Sequence, residues 1–305
     1  MKPKTLVIIG NDKGGITKTS SIGTVANALE AIGFTIRFLS GDKGTNLTLK
    51  KLYPNTVHYD VRDKSSMDKA MATALSSEED IVLFDFPGFS ADIVREYFAS
   101  RSFQEFADAG LRLVLAVVLT QHPEPISGGI AWVETFIGST DVMLIANGKD
   151  TPVGKPIDIA AINGSNILIQ LAENRVVEIP RFTKEMLDDY LTYPAVPTAY
   201  YPGGQAYQAL GMNQFSAIPW KNHHKSVVRS LSPHAEWLVG KPIPKPVDVA
   251  ERSVDPKTSA GIEHLKAIYN PDNLTPQTGM LDASKENAGE SVQGAGNSEK
   301  SKGRS

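Results

Sequence analysis

The stretch Thr5-Leu6-Val7-Ile8-Ile9-Gly10-Asn11-Asp12-Lys13-Gly14-Gly15-Ile16-Thr17-Lys18-Thr19-Ser20 decides the fold. Thr5 to Ile9 is a short apolar run closed by Gly10, the pattern of a strand buried on both faces of a parallel sheet. Beyond the glycine-rich bend, Ile22, Val25, Ala26 and Leu29 fall on one face of a helix. Gly33 stands where a helix-ending glycine belongs, and Ile36 to Leu39 reads as the next strand. A strand, loop, helix and second strand in succession make a crossover unit, and such crossovers imply parallel pairing.

The alternation continues outward. Ile81 to Phe84 is a buried strand ending at Asp85, Leu111 to Leu119 is another, and Val142 to Ala146 and Val176 to Ile179 follow, the last closed by Pro180. Helices are expected over 126–137 and 184–191. Residues 1–240 therefore read as one α/β domain, a mostly parallel central β-sheet flanked by helices. Beyond Gly240 the composition shifts. Lys241-Pro242-Ile243-Pro244-Lys245-Pro246 predicts an extended spacer, and 259–269 a short helix carrying Ile262, Leu265 and Ile268, so 241–269 is spacer and helix. Residues 270–305 nearly lack large apolar side chains and are expected to form a disordered polar tail.

Composition narrows the function classes. The chain has 305 residues with 31 Lys+Arg against 34 Asp+Glu, a net charge of −3, which excludes a protein that coats nucleic acid by bulk positive charge. Cysteine is absent, which removes disulfides, thiolate zinc sites, iron–sulfur clusters and a cysteine nucleophile together. The longest apolar run, Leu113 to Leu119, is far short of the roughly 20 residues that span a bilayer. Leu6 to Ile9 is too short for a signal-peptide core, and the expected location is cytoplasmic.

The loop Lys13-Gly14-Gly15-Ile16-Thr17-Lys18-Thr19-Ser20 carries the chemistry. Successive glycines let backbone N–H groups turn inward around a polyphosphate, assisted by the helix N-terminus. Lys18 would reach the β/γ-phosphates and the Thr19 hydroxyl would coordinate Mg²⁺. The usual G-x-x-x-x-G-K-[ST] pattern is not met, because Asp12 and Thr17 stand where its two glycines belong. Lys13 followed by two glycines fits instead the deviant pattern K-G-G-x-x-K-[ST].

On these residues the chain resembles the ParA/MinD family of P-loop ATPases with a deviant Walker A motif. The resemblance implies ATP and Mg²⁺ as cofactors, with Gly14, Gly15, Ile16, Thr17, Lys18, Thr19 and Ser20 around the phosphates. It implies that Lys13 reaches the nucleotide of a partner subunit. Phe38-Leu39-Ser40-Gly41-Asp42-Lys43-Gly44-Thr45-Asn46-Leu47-Thr48 is similar to the family's second-strand motif. There Asp42 matches the aspartate that helps position water and metal, while Ser40 replaces the first aspartate. Ile81-Val82-Leu83-Phe84-Asp85 matches the Walker B strand, making Asp85 a metal residue beside Thr19. More loosely, Asn147 and Pro180 match positions bordering the adenine. Asn147-Gly148 is equally a plain turn signal.

The resemblance further implies a switch that dimerises around ATP and dissolves on hydrolysis. Its closest character is that of ParA-like proteins of plasmid partition, which bind DNA nonspecifically and work with a DNA-bound, ParB-like adaptor. Lys221, Lys225 and Arg229 are spaced to line one helix face and could contact phosphates, although a solvated face has the same pattern. Adjacent His223-His224 point about 100° apart on a helix and do not suggest a metal site. The polar C-terminal residues lack the apolar helix face of MinD-like membrane attachment, so no membrane partner is expected. Three alternatives remain: an accessory ATPase of conjugative transfer or intracellular positioning, a non-hydrolysing nucleotide-dependent binder, and a kinase or ligase using the same cradle.

Overall fold

In the computed structural model, residues 3–13, 17–41, 49, 53, 55–88, 90–101, 103–136, 140–152, 155–162, 164–186 and 217–242 are described. The chain divides into two units, 1–268 and 269–305, and all described residues belong to the first. The spacer beyond Pro242, the helix expected over 259–269 and the tail over 270–305 lie outside the described residues, as does the expected helix after Met186.

Seven strands form one sheet in the order β3-β2-β4-β1-β5-β6-β7. They are β1 (Lys4–Gly10), β2 (Ile36–Ser40), β3 (Val57–His58), β4 (Ile81–Asp85), β5 (Leu111–Leu119), β6 (Asp141–Asn147) and β7 (Val176–Ile179). Every pairing is parallel. Strand alternation sorts the core into two layers. Leu6, Ile8, Val82, Phe84, Leu115 and Val117 face one side. There they meet α2 (Lys64–Ser76), α3 (Ala91–Ala99), α4 (Phe103–Asp108), α5 (Pro123–Phe136) and α6 (Ser165–Leu171). Val7, Ile9, Leu83, Val114, Ala116 and Ile145 face the other, against α1 (Lys18–Ile32) and α7 (Ala217–Val239). Both faces being covered is why the central strands read as continuous apolar runs.

The expected strands are all present, most lengthened by a residue at one or both ends. Ile22, Val25, Ala26 and Leu29 are the buried face of α1. The helix ends at Gly33, whose φ of 109° lets its N–H reach the carbonyls of Glu30 and Leu29. The helix expected from residue 126 begins at Pro123, a first-turn position that tolerates proline. The helical face at 221–229 belongs to a longer element, α7, which runs through Pro233. The helix survives the missing N–H because its far end is held: Arg112 donates to the carbonyls of Trp237 (2.6 Å) and Leu238 (3.2 Å) while pairing with Asp141. Among the described residues, no helix is long and apolar enough to cross a membrane.

Sheet and helix pack closely at the end of β1. The Trp132 ring covers the Gly10 backbone so closely that an added Cβ would come within 2.3 Å of Cε3. Trp132 is fully buried and cannot retreat. Gly10→Ala is therefore expected to destabilise the fold by about 3 kcal/mol, the overpacking range, measured as a lowered midpoint in urea with an unchanged slope.

Candidate functional site

Because all seven strands run the same way, their C-terminal ends lie along one edge of the sheet, where ligands of open α/β folds bind. β1 opens there into the loop, β4 ends at Asp85, β6 ends at Asn147, and Pro180 follows β7. The register sets Asp85 opposite both Ile9 and Ser40.

The start of the loop is held from outside. Asn11 is fully buried, and its Nδ2 donates to the carbonyls of Val118 (2.8 Å) and Pro125 (2.7 Å). Its Oδ1 accepts from the Lys13 N–H at 2.9 Å. A Cβ on Gly128 would lie 2.4 Å from that Oδ1, so α5 needs a glycine where it passes the loop. Asp12 Oδ1 accepts from Trp132 Nε1 (3.0 Å) and from the Ala91 N–H (3.1 Å). The exposed Lys13 ammonium forms an ion pair with Glu124 in the first turn of α5.

Gly14, Gly15 and Ile16 lie outside the described residues, as does Asp42. Thr17, at the N-cap of α1, has a φ of 66° and a ψ of 27°, in the left-handed region. Glycine adopts this conformation readily, and a threonine Cβ opposes it. Lys18 is buried, its Nζ donating to the carbonyls of Asn11 (2.9 Å) and Lys13 (3.2 Å). Burial lowers the pKa of this ammonium, and the charges of Asp85 and Asp12 act against that shift. Thr19 Oγ1 donates to Asp85 Oδ2 at 2.9 Å. Ser20 Oγ donates to the Thr17 carbonyl at 3.0 Å. A hydroxyl and a buried carboxylate this close are two hard oxygen donors of the kind Mg²⁺ takes, so the residues present fit that ion.

At the other end of the edge, Asn147 serves as a turn and as a tie. Its Oδ1 accepts from the Lys149 N–H (2.9 Å) to cap a short 3-10 turn, and its Nδ2 donates to Ser21 Oγ (2.9 Å) in α1. Gly148 then passes so near the segment after β7 that a Cβ would meet the Arg181 nitrogen at 2.7 Å. Pro180 offers its carbonyl to His223 Nε2 of α7 at 3.0 Å. Lys221, Lys225 and Arg229 are exposed along α7, while His223, Val227 and Leu231 are buried beneath them. The basic face therefore lies on α7, away from the loop residues in sequence and on a separate element. Among the described residues, no cluster of metal-ligating side chains gathers around His223-His224.

Sequence reading did not anticipate Asn11, Asp12, Trp132 or His223 in these roles. Only the polar pair Asn11-Asp12 directly before the loop signalled that something there was held by side chains.

No family model matches the chain, and no curated protein matches it by sequence. Among solved structures, it is similar to the MinC:MinD cell division protein complex of Aquifex aeolicus, with 14% identity and a TM-score of 0.45 over 75% of this chain and 96% of that one. Its similarity to the MinD cell division protein of Aquifex aeolicus gives 14% identity and a TM-score of 0.44 over 75% and 97%. The signal recognition particle receptor FtsY from Elizabethkingia anophelis, in complex with GDP, gives 17% and 0.37 over 58% and 56%.

Two outcomes test the local physics. Thr17→Gly should relieve the left-handed backbone and raise stability by up to about 1 kcal/mol, read from chemical denaturation. The His223 pKa is lowered to about 4, first by burial and then by the neighbouring His224, against the pull of the Pro180 carbonyl. The unfolded chain takes up this proton near 6.5, so the neutral ring's contribution is whole above 6.5 and is lost as pH falls towards about 4. Wild type should lose up to about 3 kcal/mol more than His223→Gln across that window. Parallel denaturation series at stepped pH would show it, and coincident curves would contradict it.

Proposed function

We propose that this chain is an ATP-binding and ATP-hydrolysing switch of the ParA/MinD type, dimeric when ATP-bound, that acts in partition or stable inheritance of a plasmid or other replicon. The observation that carries the proposal is the Thr19–Asp85 hydrogen bond of 2.9 Å beside a buried Lys18 ammonium held by loop carbonyls. A cation lodged on carbonyls at a helix N-terminus is poised to exchange those partners for phosphate oxygens.

In this reading Lys18 leaves the Asn11 and Lys13 carbonyls for the β/γ-phosphates, and the loop N–H groups of Gly14 to Ser20 surround them. Thr19 directly, and Asp85 through water, would hold Mg²⁺, which neutralises charge developing on the transferred phosphoryl group. Lys13 leaves Glu124 and reaches a partner subunit's nucleotide, which makes assembly depend on ATP. Asp42 orients the attacking water. Asn147 and Pro180 border the base, with His223 fixing the Pro180 carbonyl. Lys221, Lys225 and Arg229 contact DNA phosphates, and a DNA-bound, ParB-like adaptor stimulates turnover.

Ser40 favours a second reading. It is fully buried opposite Asp85, where the resembled family carries a carboxylate. A site short of that charge would bind nucleotide and respond to it without appreciable turnover.

Phosphate release separates the two. Wild type with MgATP should turn over slowly and accelerate with DNA and adaptor, and Lys18→Ala should lose at least about a hundredfold. Turnover no greater than that of Lys18→Ala would leave the non-hydrolysing binder. ATP should double the solution mass of wild type but not of Lys13→Ala. Gel retardation of arbitrary DNA should require MgATP and fail when Lys225 and Arg229 are both replaced by alanine; unchanged retardation would remove α7 as the DNA face.

A further inference from the structure

Four consecutive residues at the start of the loop are fixed to α5 by four different contacts. Trp132 covers Gly10, Asn11 donates to the Pro125 carbonyl, Asp12 accepts from Trp132 Nε1, and Lys13 pairs with Glu124. Of these, Asp12 also reaches a second helix. The oxygen that takes the indole N–H accepts the N–H of Ala91, the first residue of α3, at 3.1 Å.

That contact replaces a cap which α3 does not make for itself. Ser90 occupies the N-cap position but makes no side-chain hydrogen bond into the helix. Its hydroxyl is committed to the Pro87 carbonyl at 2.7 Å. An uncovered first-turn N–H is supplied with an acceptor from a distant loop, and the acceptor is a carboxylate, the group a helix N-terminus favours. α3 is also the element reached by the chain as it leaves Asp85 through Phe86 and Pro87. One oxygen therefore joins the phosphate loop, the helix after the metal-side aspartate, and the buried tryptophan of α5.

We propose that Asp12 is a positioning residue that transmits occupancy of the loop to the N-terminal end of α3 and to Trp132. The proposal rests on the reading that the loop binds nucleotide. It also accounts for an aspartate where the usual motif has its first glycine: the position gives up backbone freedom and gains a two-way acceptor. When Lys18 moves from the Asn11 and Lys13 carbonyls to phosphate, residues 11–13 shift, and a cap held by residue 12 shifts with them. Asparagine retains an oxygen with two lone pairs and can accept both donors, whereas alanine can accept neither.

The test uses the full chain with MgATP and three measurements: equilibrium dialysis for binding, tryptophan emission, and phosphate release. Wild type and Asp12→Asn should bind ATP and change emission on binding, and the change should vanish in Trp132→Phe. Asp12→Ala should bind within about threefold of wild type, lose the emission change, and turn over about tenfold more slowly with KM little moved. Asp12→Ala with wild-type emission change and turnover, or Asp12→Asn as defective as Asp12→Ala, overturns the positioning role and leaves the nucleotide site standing. Wild type that takes up no ATP in dialysis overturns the site and this inference together. If Asp12→Ala does not fold, hydrogen exchange of the wild type decides: MgATP should alter protection of the peptide covering 86–95, and unaltered protection overturns the proposal.

Discussion

The constraint on which the structure depends is the burial of β1 on both faces. Leu6 and Ile8 enter one core layer, Val7 and Ile9 the other, and β4 and β5 pair along either side. A strand so enclosed has no freedom of register, because a slip of one residue would exchange its two faces between layers built for different helices. The loop that follows therefore starts from a fixed point. The same register fixes Asp85 level with Ile9, at the strand end where its carboxylate accepts from Thr19.

Given that fixed start, the loop tolerates two departures from the familiar glycine pattern in different ways. At Thr17 the backbone holds a left-handed conformation with a β-branched residue in place, a cost of roughly 1–2 kcal/mol that surrounding structure must offset. At Asp12 the departure is structural support, since the side chain binds two helices at once. The first is a strained position tolerated by the site, the second a brace that the site uses.

The strands were legible because enclosure on both faces writes itself as unbroken apolar runs, as in Leu111 to Leu119. α1 was legible because its apolar spacing and Gly33 agree. α2, α3, α4 and α6 were not anticipated. α4 and α6 are short, at 6 and 7 residues, too few for a clear period, and α3 takes an acceptor at its start from residue 12 and not from Ser90. The candidate site divides in the same manner. Lys18 and Thr19 could be named from the spacing of the loop and Asp85 from the family resemblance of its strand, and the structure brings Thr19 and Asp85 into contact. Asn147 carried both a turn signal and a looser match to a base-bordering position, and neither encodes its bond to Ser21, which depends on a helix 126 residues earlier. The pairing of Asp12 with Trp132 spans 120 residues and no local pattern encodes it.

Charge and dipole are unevenly matched around Lys18. Lys18 is held by two carbonyl dipoles, with the formal negative charges of Asp85 and Asp12 nearby, and burial works against its ammonium. Carbonyl oxygens satisfy the donors of a buried cation but do not neutralise it, so a phosphate that offers both a lone pair and a charge displaces them favourably. The carbonyls released belong to Asn11 and Lys13, the residues on either side of Asp12. On the proposed reading, ligand binding at this loop is not confined to the ligand: the groups Lys18 would give up lie on the same short segment that α3 and α5 hold. Exchange of those carbonyls for phosphate would alter the contacts of that segment, and a difference of that kind is what any two-state response requires.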